Sequence, residues 1–441
     1  MVGVTEAYVE SIDREGRGVA RHEGKAIFID GALPGETVDY TPYRRKESYE
    51  LAQISAILKP SAARIEPKCQ WFGRCGGCSM QHVDIRTQVA AKQRVLEDAL
   101  WHIGKVRSDR MLSPVIGPGW GYRHRARLSV RLVPKKGGVL VGFHERKSSY
   151  VADMTSCEIL PPAISALIPS LRELVGKLTI RDRLPQIEVS IGEELTILVM
   201  RILAAPSSVD EDLLRQFAEL HAVSIWLQVK GPETAKPFWP ASTQSLSYSV
   251  PEYGVRIDFL PTDFTQVNHS VNRILIRRAM GLLQARAGDR VADFFCGIGN
   301  FTLPIASLGA HVLGIEGSAN LVDRAKANAV SNGLGALARF DVANLFDADA
   351  CRKLLDNAGP LDKILIDPPR EGALELIRAI GESGESGRPE RIVYVSCDPA
   401  TLARDAGVLT QTQGYVLNAA GVVNMFPQTS HVESIAVFDR E

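Results

Sequence analysis

A cysteine stands at the end of an apolar run near the C-terminus of the chain. Residues 391–396 read Arg-Ile-Val-Tyr-Val-Ser, Cys397 follows them, and Asp398 and Pro399 then break the run. In open α/β sheets, side chains at the carboxyl ends of the strands face the ligand crevice. The position therefore predicts a catalytic thiol. The alternative is a small buried hydrophobic residue, because free cysteines are often buried.

Two possible proton acceptors follow further along the chain. Glu433 directly precedes an apolar run at residues 434–438, and His431 lies just before it. Carboxylates and imidazoles both remove protons from reacting groups. We expect Glu433 to be the general base, with His431 as the second candidate. A solvated loop acid is the alternative interpretation of Glu433.

A glycine-containing turn marks a candidate cofactor site. The segment Asp293–Asn300 joins an apolar run to a predicted helix, and its Gly297 and Gly299 let the backbone approach a ligand closely. Glu316 ends the next predicted strand, where folds of this type bind ribose hydroxyls. The third glycine of a dinucleotide fingerprint is missing, so the turn favours S-adenosylmethionine over NAD.

Further polar side chains lie at predicted strand ends. Asn300 and Asn344 are candidate contacts of the same cofactor, although Asn300 could only cap its helix and Asn344 could only shape a turn. Asp341 is the alternative to Asn344. At another strand end, Asp367 opens an Asp-Pro-Pro sequence that Arg370 follows. Methyltransferases acting on amino groups of bases carry an aromatic residue there, so Arg370 favours carbon or another atom as the acceptor.

The seven cysteines suggest a metal site rather than disulfides, because an odd number argues against a disulfide framework. Cys69, Cys75 and Cys78 have the spacing C-x5-C-x2-C, with Gly76 and Gly77 between the last two. Together with Cys157 they would supply four thiolates for an iron–sulfur cluster. Zinc is one alternative, and zinc sites usually show two paired halves or a histidine. No second CxxC is present here, although His82 lies near. Free thiols are the other alternative.

Charge is distributed unevenly along a chain whose formal net charge is zero. Residues 61–150 carry 17 basic and 6 acidic side chains. Arg123, Arg125, Arg127 and Arg131 recur at strand period, which would place four guanidinium groups on one sheet face. Such a patch favours binding to the phosphates of a nucleic acid, and a solvated surface is the alternative.

The N-terminal half is predicted to hold two domains. Residues 1–58 read as short strands broken by glycines, which is typical of a small OB-type β-barrel. Residues 59–255 contain the cysteine segment, a predicted helix over 83–103, and a mixed α+β region with predicted strands over 126–133 and 187–199.

The C-terminal part, residues 256–441, alternates strands with helices. This pattern indicates the α/β class, with a Rossmann-like, doubly wound parallel sheet. The predicted strands cover residues 290–295, 311–315, 363–366 and 391–395, and a Gly/Ser/Glu loop is expected at 381–387.

The composition is that of an ordinary globular protein, with 45% hydrophobic and 23% charged residues. The chain lacks an apolar stretch long enough to cross a membrane, and its first residues are acidic where a signal peptide would be basic and then apolar. We therefore expect a cytoplasmic protein with no membrane contact. Nothing in the sequence implies an obligate protein partner or an oligomeric state.

Several motifs together resemble one family. Over essentially its whole length, the chain is similar to the S-adenosylmethionine-dependent RNA uracil-C5 methyltransferases that have an N-terminal TRAM domain and a 4Fe-4S cluster, and most of all to the bacterial members that act on 23S ribosomal RNA. The shared motifs are residues 69–81, 263–268, 293–300, 367–370, 396–405 and 426–434.

The resemblance implies a role for each candidate residue. Cys397 would be the nucleophile and Glu433 the base, and the helix at 83–103 would pack against the catalytic domain. The implied cluster ligands are Cys69, Cys75, Cys78 and Cys157. The implied contacts of S-adenosylmethionine are Gln266, Phe295, Asn300, Glu316, Asn344 and Asp367.

The implied reaction begins with addition of the thiolate to C6 of a uracil that has been flipped out of its stack. The addition makes C5 nucleophilic toward the methyl group, and the base then removes the C5 proton so that the thiol can leave. A tRNA-directed uracil methyltransferase and an RNA-binding protein without catalysis are the alternatives. The motifs specify neither the uridine nor the role of the cluster.

Overall fold

The computed structural model of the chain describes residues 5–382 and 387–441. Most of the loop predicted at 381–387 lies outside these residues. The described chain forms a small barrel, a central six-stranded sheet and a large eight-stranded sheet with helices on both faces.

The N-terminal barrel is closed, and its strand order is β1-β2-β3-β5-β4. Its strands are β1 (Thr5–Ile12), β2 (Gly18–His22), β3 (Lys25–Asp30), β4 (Thr37–Arg45) and β5 (Tyr49–Lys59). Inward-facing apolar residues such as Val9, Ile29 and Val38 are fully buried and fill the barrel. The predicted OB-type barrel is confirmed.

The cysteine segment has little regular structure and leads into a helix that belongs spatially to the large sheet. Helix α1 (Ile85–Ala99) is capped by the Asp84 side chain, which accepts from the Arg86 amide, and it continues into a π-helical turn at Leu100–Gly104. Strand β6 (Arg110–Met111) then pairs with the edge of the large sheet. Val89 and Leu96 of α1 are buried in the core on one face of that sheet.

The central domain is a mixed sheet in the order β12-β11-β10-β9-β7-β8, covered by two helices. Its elements are β7 (Arg125–Val133), β8 (Gly138–Gly142), α2 (Pro162–Lys177), β9 (Gln186–Ile191), β10 (Thr196–Arg201), α3 (Ser208–His221), β11 (Ser224–Gln228) and β12 (Lys236–Trp239). The single strand predicted over 187–199 is wrong. Its apolar run folds back at Gly192 into the antiparallel pair β9 and β10.

The predicted arginine face is only partly correct. Arg125, Arg127 and Arg131 alternate with buried apolar residues along β7 and share one face of it, with Arg127 and Arg131 exposed. Arg125 is partly covered because it forms an ion pair with Glu188, at 2.8 Å between nitrogen and oxygen. Arg123 precedes the strand and does not belong to the face.

The C-terminal part begins with a hairpin and continues as a Rossmann-like alternation of strands and helices. Its elements are β13 (Leu246–Val250), β14 (Val255–Phe259), α4 (His269–Leu283), β15 (Arg290–Phe294), α5 (Thr302–Ser307), β16 (His311–Glu316), α6 (Ala319–Ser331), β17 (Ala338–Val342), α7 (Ala348–Ala358), β18 (Lys363–Ile366), α8 (Leu374–Glu382), β19 (Arg391–Ser396), α9 (Pro399–Thr412), β20 (Tyr415–Val423) and β21 (Glu433–Arg440).

The strand order of the large sheet is β17-β16-β15-β18-β19-β21-β20-β6. The strands from β17 to β19 are parallel, as predicted, but β21 runs antiparallel to both of its neighbours. The expectation of an all-parallel sheet is therefore wrong at β21, because the hairpin between β20 and β21 reverses the chain. Buried apolar side chains cover both faces of the sheet, which explains the continuous apolar runs of its strands.

Packing does not follow the sequence-based domain limits closely. The hairpin β13–β14 packs in the same core as α4, and α1 packs on the opposite face of the large sheet. The limits at 58 and 255 stay a prediction. In the described residues, no helix is long and apolar enough to cross a membrane.

Candidate active site

A cavity of about 820 Å³ opens along the carboxyl ends of the central strands of the large sheet. All eight residues predicted to be catalytic or to bind the cofactor line it: Gln266, Phe295, Asn300, Glu316, Asn344, Asp367, Cys397 and Glu433. A doubly wound sheet binds ligands at this edge, where its strand order reverses.

The strand order divides the cavity into two halves. The ends of β15, β16 and β17 carry Phe295, Glu316 and Asn344, and they form one half. The other half of the cavity is formed by the ends of β18 and β19, which carry Asp367 and Cys397, and by the start of β21, which carries Glu433. A ligand in the first half can therefore place one of its atoms beside the thiol in the second.

A carboxylate fixes the conformation of the glycine turn after β15. Phe295, Gly297 and Gly299 all have positive φ angles, of 62°, 56° and 96°. The Glu316 carboxylate accepts hydrogen bonds from the Gly297 amide at 3.1 Å and from the Gly317 amide at 2.8 Å. The acid thus fixes the turn from the neighbouring strand and keeps its own position at the rim of the cavity.

Asn300 is held by side chains that sequence patterns do not mark. Its Oδ1 accepts from the Tyr248 hydroxyl at 2.8 Å and from the Asn272 Nδ2 at 2.9 Å. In return, the Asn300 Nδ2 donates to the Asn272 Oδ1 at 3.1 Å. Tyr248 comes from the β13–β14 hairpin, so it reaches Asn300 only through tertiary packing. These contacts orient Asn300 toward the cavity rather than leaving it as a simple helix cap.

The two candidates at the third strand end differ in position. Asn344 lines the cavity, and its Oδ1 accepts from the Phe346 amide at 3.1 Å. Asp341 lies within β17, is exposed and does not line the cavity. Asn344 therefore shapes a local turn and also lines the cavity.

Two acidic side chains lie at or near the cavity: Asp367 lines it, and Asp293 is fully buried in the neighbouring strand β15. Burial raises the pKa of Asp367 to about 7. Burial likewise raises the pKa of Asp293 to about 7, with a hydrogen bond from Thr302 opposing the shift and the Asp367 charge adding to it. Acidic side chains in these positions favour a cationic ligand.

The Cys397 thiol is half-buried at the end of β19. Burial, together with the charges of Glu433 and Asp367, raises its pKa to about 12, and the Arg370 guanidinium opposes this shift. The thiol is therefore protonated at neutral pH. Asp398 begins the next helix, since its carboxylate accepts from the Ala400 amide at 2.8 Å.

Glu433 is buried rather than solvated, with 3% of its surface exposed. The solvated-loop interpretation is therefore wrong, because Glu433 is the first residue of β21 and not part of an exposed loop. Burial, together with the Asp367 charge, raises its pKa well above the ordinary value. A carboxylate with a raised pKa is a stronger proton acceptor once it has lost its own proton.

His431 also lines the cavity, with its Nδ1 3.4 Å from a terminal nitrogen of Arg370. Burial lowers its pKa, and the positive charges of Arg370, Lys92 and Arg123 lower it further. The imidazole is therefore neutral, which keeps it available as a hydrogen-bonding group. A neutral His431 is a weaker proton acceptor than an ionised Glu433.

Several further residues line the cavity although the sequence did not single them out for it, namely Arg123, Tyr248, Phe264, Thr265, Phe426 and Thr429. Arg123 comes from the basic segment, whose charge could have indicated it. Phe264 and Thr265 lie inside the motif at residues 263–268. For Tyr248 there was no signal in the sequence.

The cysteine segment borders the same cavity through Gly76 and Gly77. The thiols of Cys75, Cys78 and Cys157 are largely buried, which raises all three pKa values, to about 12 for Cys78 and about 11 for Cys157. The charge of Cys69 adds to each shift. Cys75 and Cys78 pack against the same hydrophobic core that contains Cys157. Within residues 5–382 and 387–441, however, no three His, Cys, Asp or Glu side chains are placed to hold a metal ion.

Two family models match the chain. Residues 247–441 match the model described as tRNA (Uracil-5-)-methyltransferase, and residues 3–39 match the TRAM domain. The second match coincides with the start of the closed barrel, and the first covers the large sheet with its cavity.

Curated relatives match over nearly the full length. The proteins named 23S rRNA (uracil(1939)-C(5))-methyltransferase RlmD from Nitrosospira multiformis and Cupriavidus necator are 61% and 59% identical to the chain. The alignments cover 98% of this chain in both cases, and 98% and 99% of the relatives.

A solved structure has the same fold. The Pyrococcus abyssi tRNA (uracil-54, C5)-methyltransferase in complex with S-adenosyl-L-homocysteine superposes with a TM-score of 0.73 at 21% identity, covering 98% of this chain and 100% of that one. The full-length identity to the curated relatives, on this fold and with this cavity, shows that the chain belongs to the RNA uracil-C5 methyltransferase family, in the group of the RlmD proteins.

Proposed function

We propose that the protein transfers a methyl group from S-adenosylmethionine to C5 of a uridine in 23S ribosomal RNA, through a covalent bond between Cys397 and C6 of the uracil. The observation that carries the proposal is the placement of Cys397 and Glu433 in one half of a single cavity, beside a half suited to a nucleoside. The relatives' names specify uracil 1939, and we propose the same target.

The first half of the cavity fits the methyl donor. Glu316 lies where a ribose binds in this fold, Asn344 and Phe295 border the space expected for the base, and Gln266 and Asn300 close its sides. The acidic pair Asp293 and Asp367 suits a cationic sulfonium. When bound, S-adenosylmethionine supplies the electrophilic methyl group.

The second half fits a flipped uracil. The Cys397 thiolate adds to C6, the electron pair moves to C5 and O4, and C5 then takes the methyl group. Glu433 removes the C5 proton, and elimination breaks the Cys397–C6 bond and releases the thiolate. The thiol must lose its proton before it adds to C6, and His431 lines the same cavity as a neutral candidate acceptor.

In this proposal, the other two domains bind the RNA. The TRAM barrel and the exposed arginines of β7 provide the RNA-binding surface, and Arg123 carries positive charge into the cavity. We also propose a cytoplasmic location, because the proposed substrate is ribosomal RNA.

We further propose that Cys69, Cys75, Cys78 and Cys157 hold a 4Fe-4S cluster. Four thiols, three of them largely shielded from water, match the ligand type of such a cluster, and bound iron would replace their protons. Anaerobically purified protein should contain about four iron atoms and matching sulfide per chain. Protein that carries zinc instead would contradict this assignment.

The covalent mechanism can be tested with two substitutions. Cys397→Ala should abolish methylation, whereas Glu433→Gln should form an RNA–protein adduct that survives denaturation, because its elimination step lacks a base. The measurements are tritium transfer from labelled S-adenosylmethionine and gel mobility of labelled RNA. Residual uracil methylation by Cys397→Ala would refute the nucleophile.

The choice of RNA can be tested in the same assay. A 23S ribosomal RNA fragment and total tRNA are supplied in parallel, since the matching family model is described by tRNA. Methylation of the ribosomal fragment alone is the expected result. Methylation of tRNA alone would favour the tRNA enzyme, and adduct-free binding without methylation would favour a non-catalytic protein.

A further inference from the structure

The loop between β20 and β21, residues 424–432, forms the wall of the cavity beside Cys397 and Glu433. Phe426, Thr429 and His431 of this loop line the cavity directly, and Glu433 follows it as the first residue of β21. The loop therefore shapes the half of the cavity in which the proposed function places the uracil.

Four consecutive carbonyl groups of this loop accept hydrogen bonds from donors outside the large sheet. The Met425 carbonyl accepts from Asn268, the Phe426 carbonyl from Lys92, the Pro427 carbonyl from Tyr122, and the Gln428 carbonyl from the amides of Ser79 and Met80. Gln428 has a φ of +67°, a left-handed conformation that non-glycine residues hold only when their surroundings enforce it.

Lys92 is the most unusual of these donors. Its ammonium group lies in helix α1, is 2% exposed, and donates to the Asn424 Oδ1 at 2.7 Å and to the Phe426 carbonyl at 2.9 Å. Among the described residues it has no carboxylate within ion-pair distance. Burying an ammonium group that contacts only neutral oxygens costs free energy. The two hydrogen bonds are the contacts that offset this cost.

Gln88 lies one turn earlier on the same face of α1 and is fully buried. Its Oε1 accepts from the Gln428 amide at 3.0 Å, and its Nε2 donates to the Gln428 Oε1 at 3.0 Å. The same Nε2 also contacts the carbonyls of Met80 and Val83 at 2.9 Å. Gln88 thus joins the cysteine segment, helix α1 and the loop.

We propose that Gln88 and Lys92 are positioning residues for methyl transfer, which fix loop 424–432 in the conformation that shapes the uracil half of the cavity. The inference rests on the proposed function. Neither side chain lines the cavity, so each acts through the loop and not on the substrate. The donor half depends on the ends of β15, β16 and β17, which these side chains do not contact.

The proposal predicts a separation between two measurements. Lys92→Met keeps the apolar stem but removes both hydrogen bonds, and Gln88→Leu removes the contacts to Gln428. Each variant should methylate the ribosomal RNA fragment about tenfold to a hundredfold more slowly, because displacing a reacting group by about 1 Å lowers the reaction rate by up to about a hundredfold. Calorimetric affinity for S-adenosylhomocysteine should be unchanged. Arg94→Met is the matched control, since Arg94 is exposed on the same helix.

A double variant separates positioning from stability. The Asn424 Nδ2 is buried without a partner in the described structure, so Lys92→Met combined with Asn424→Leu removes both buried polar groups and should recover the Tm lost in Lys92→Met. The rate should stay low, because the Phe426 carbonyl has lost its hydrogen bond to helix α1 and keeps only the one from Thr429 within the loop. A rate that recovers together with the Tm would overturn the proposal.

The remaining outcomes are equally decisive. Rates of Lys92→Met and Gln88→Leu equal to that of Arg94→Met would overturn the positioning role while leaving the proposed function intact. Cofactor affinity that falls in parallel with the rate would also overturn it, because the effect would not be confined to the loop. Wild-type protein that fails to methylate the fragment would overturn the proposed function, and this inference with it.

Discussion

Burial of Glu433 imposes a cost on the folded protein that its proposed role as a base explains. The folded-state pKa of its carboxyl is raised well above the ordinary value, while the unfolded chain has the ordinary value of about 4.3. Between these two pKa values the unfolded state releases a proton that the folded state retains, so stability falls as the pH rises. Below the ordinary pKa both states are protonated and the cost disappears.

Glu433→Gln should therefore stabilise the protein while it blocks turnover. We expect its Tm to exceed that of the wild type by about 2–4 °C at pH 8, which corresponds to about 1 kcal/mol for a domain of this size. The difference should shrink at pH 5, since the amide does not titrate. Scanning calorimetry at both values is the measurement, and Glu219→Gln, an exposed acid of α3, is the control. A Tm difference independent of pH would contradict the raised pKa.

Sequence reasoning found the residues at strand ends but not those that hold them. Cys397, Asp367 and Glu316 each end an apolar run, so the period of the strands locates them without a structure. Lys92 and Gln88 could not be found in this way, because their partners lie 332 and 340 residues away along the chain. Contacts of such separation are determined by how α1 packs and leave no local pattern.

At the level of elements, the helix that follows Cys397 is supported by a tight backbone contact. Helix α9 begins directly after Cys397 and Asp398, and the turn Leu100–Gly104 packs against it. The Gln411 Nε2 donates to the Gly104 carbonyl at 2.8 Å, and a Cβ built on Gly104 would lie 2.3 Å from the Ala403 carbonyl oxygen. The absence of a side chain at Gly104 is therefore what permits the close approach.

Gly104→Ala should separate the turn from α9 and lower the Tm, because the added Cβ meets backbone atoms of Ala403, which cannot rotate away as a side chain can. Gly176→Ala is the matched control: Gly176 lies within helix α2 with open space around its Cα, and the same change there should stabilise by about 0.5–1 kcal/mol. Thermal unfolding of both variants is the measurement. Equal effects of the two substitutions would show that the contact at Ala403 is not tight.

The element boundaries show where sequence patterns succeed and where they fail. Strand β18 matches its predicted range, 363–366, since turns bound it clearly. The run over 187–199 was predicted as one strand because its apolar residues continue across the fold-back at Gly192. The antiparallel direction of β21 was not predicted either, because periodicity gives a strand's existence but not its direction.

Over the whole molecule, positive charge is concentrated in the segment proposed to bind RNA rather than in the domain proposed to methylate it. The segment 61–150 has 17 basic and 6 acidic side chains although the net charge of the chain is zero. Within it, Arg127 and Arg131 lie exposed on one face of β7. Each guanidinium that contacts a phosphate releases counterions, so its loss reduces the dependence of binding on salt.

Replacing Arg127 and Arg131 together by Gln should lower the slope of log affinity against log salt concentration by about 2, because about one unit is lost for each phosphate contact. Affinity for S-adenosylhomocysteine should not change, since neither side chain lines the cavity. Replacing Lys326 and Lys353 by Gln removes the same charge from exposed positions on helices α6 and α7 and should leave the slope unchanged. Filter binding of the ribosomal RNA fragment across a salt series measures both. If the two double variants had equal slopes, long-range net charge rather than the β7 face would account for RNA binding.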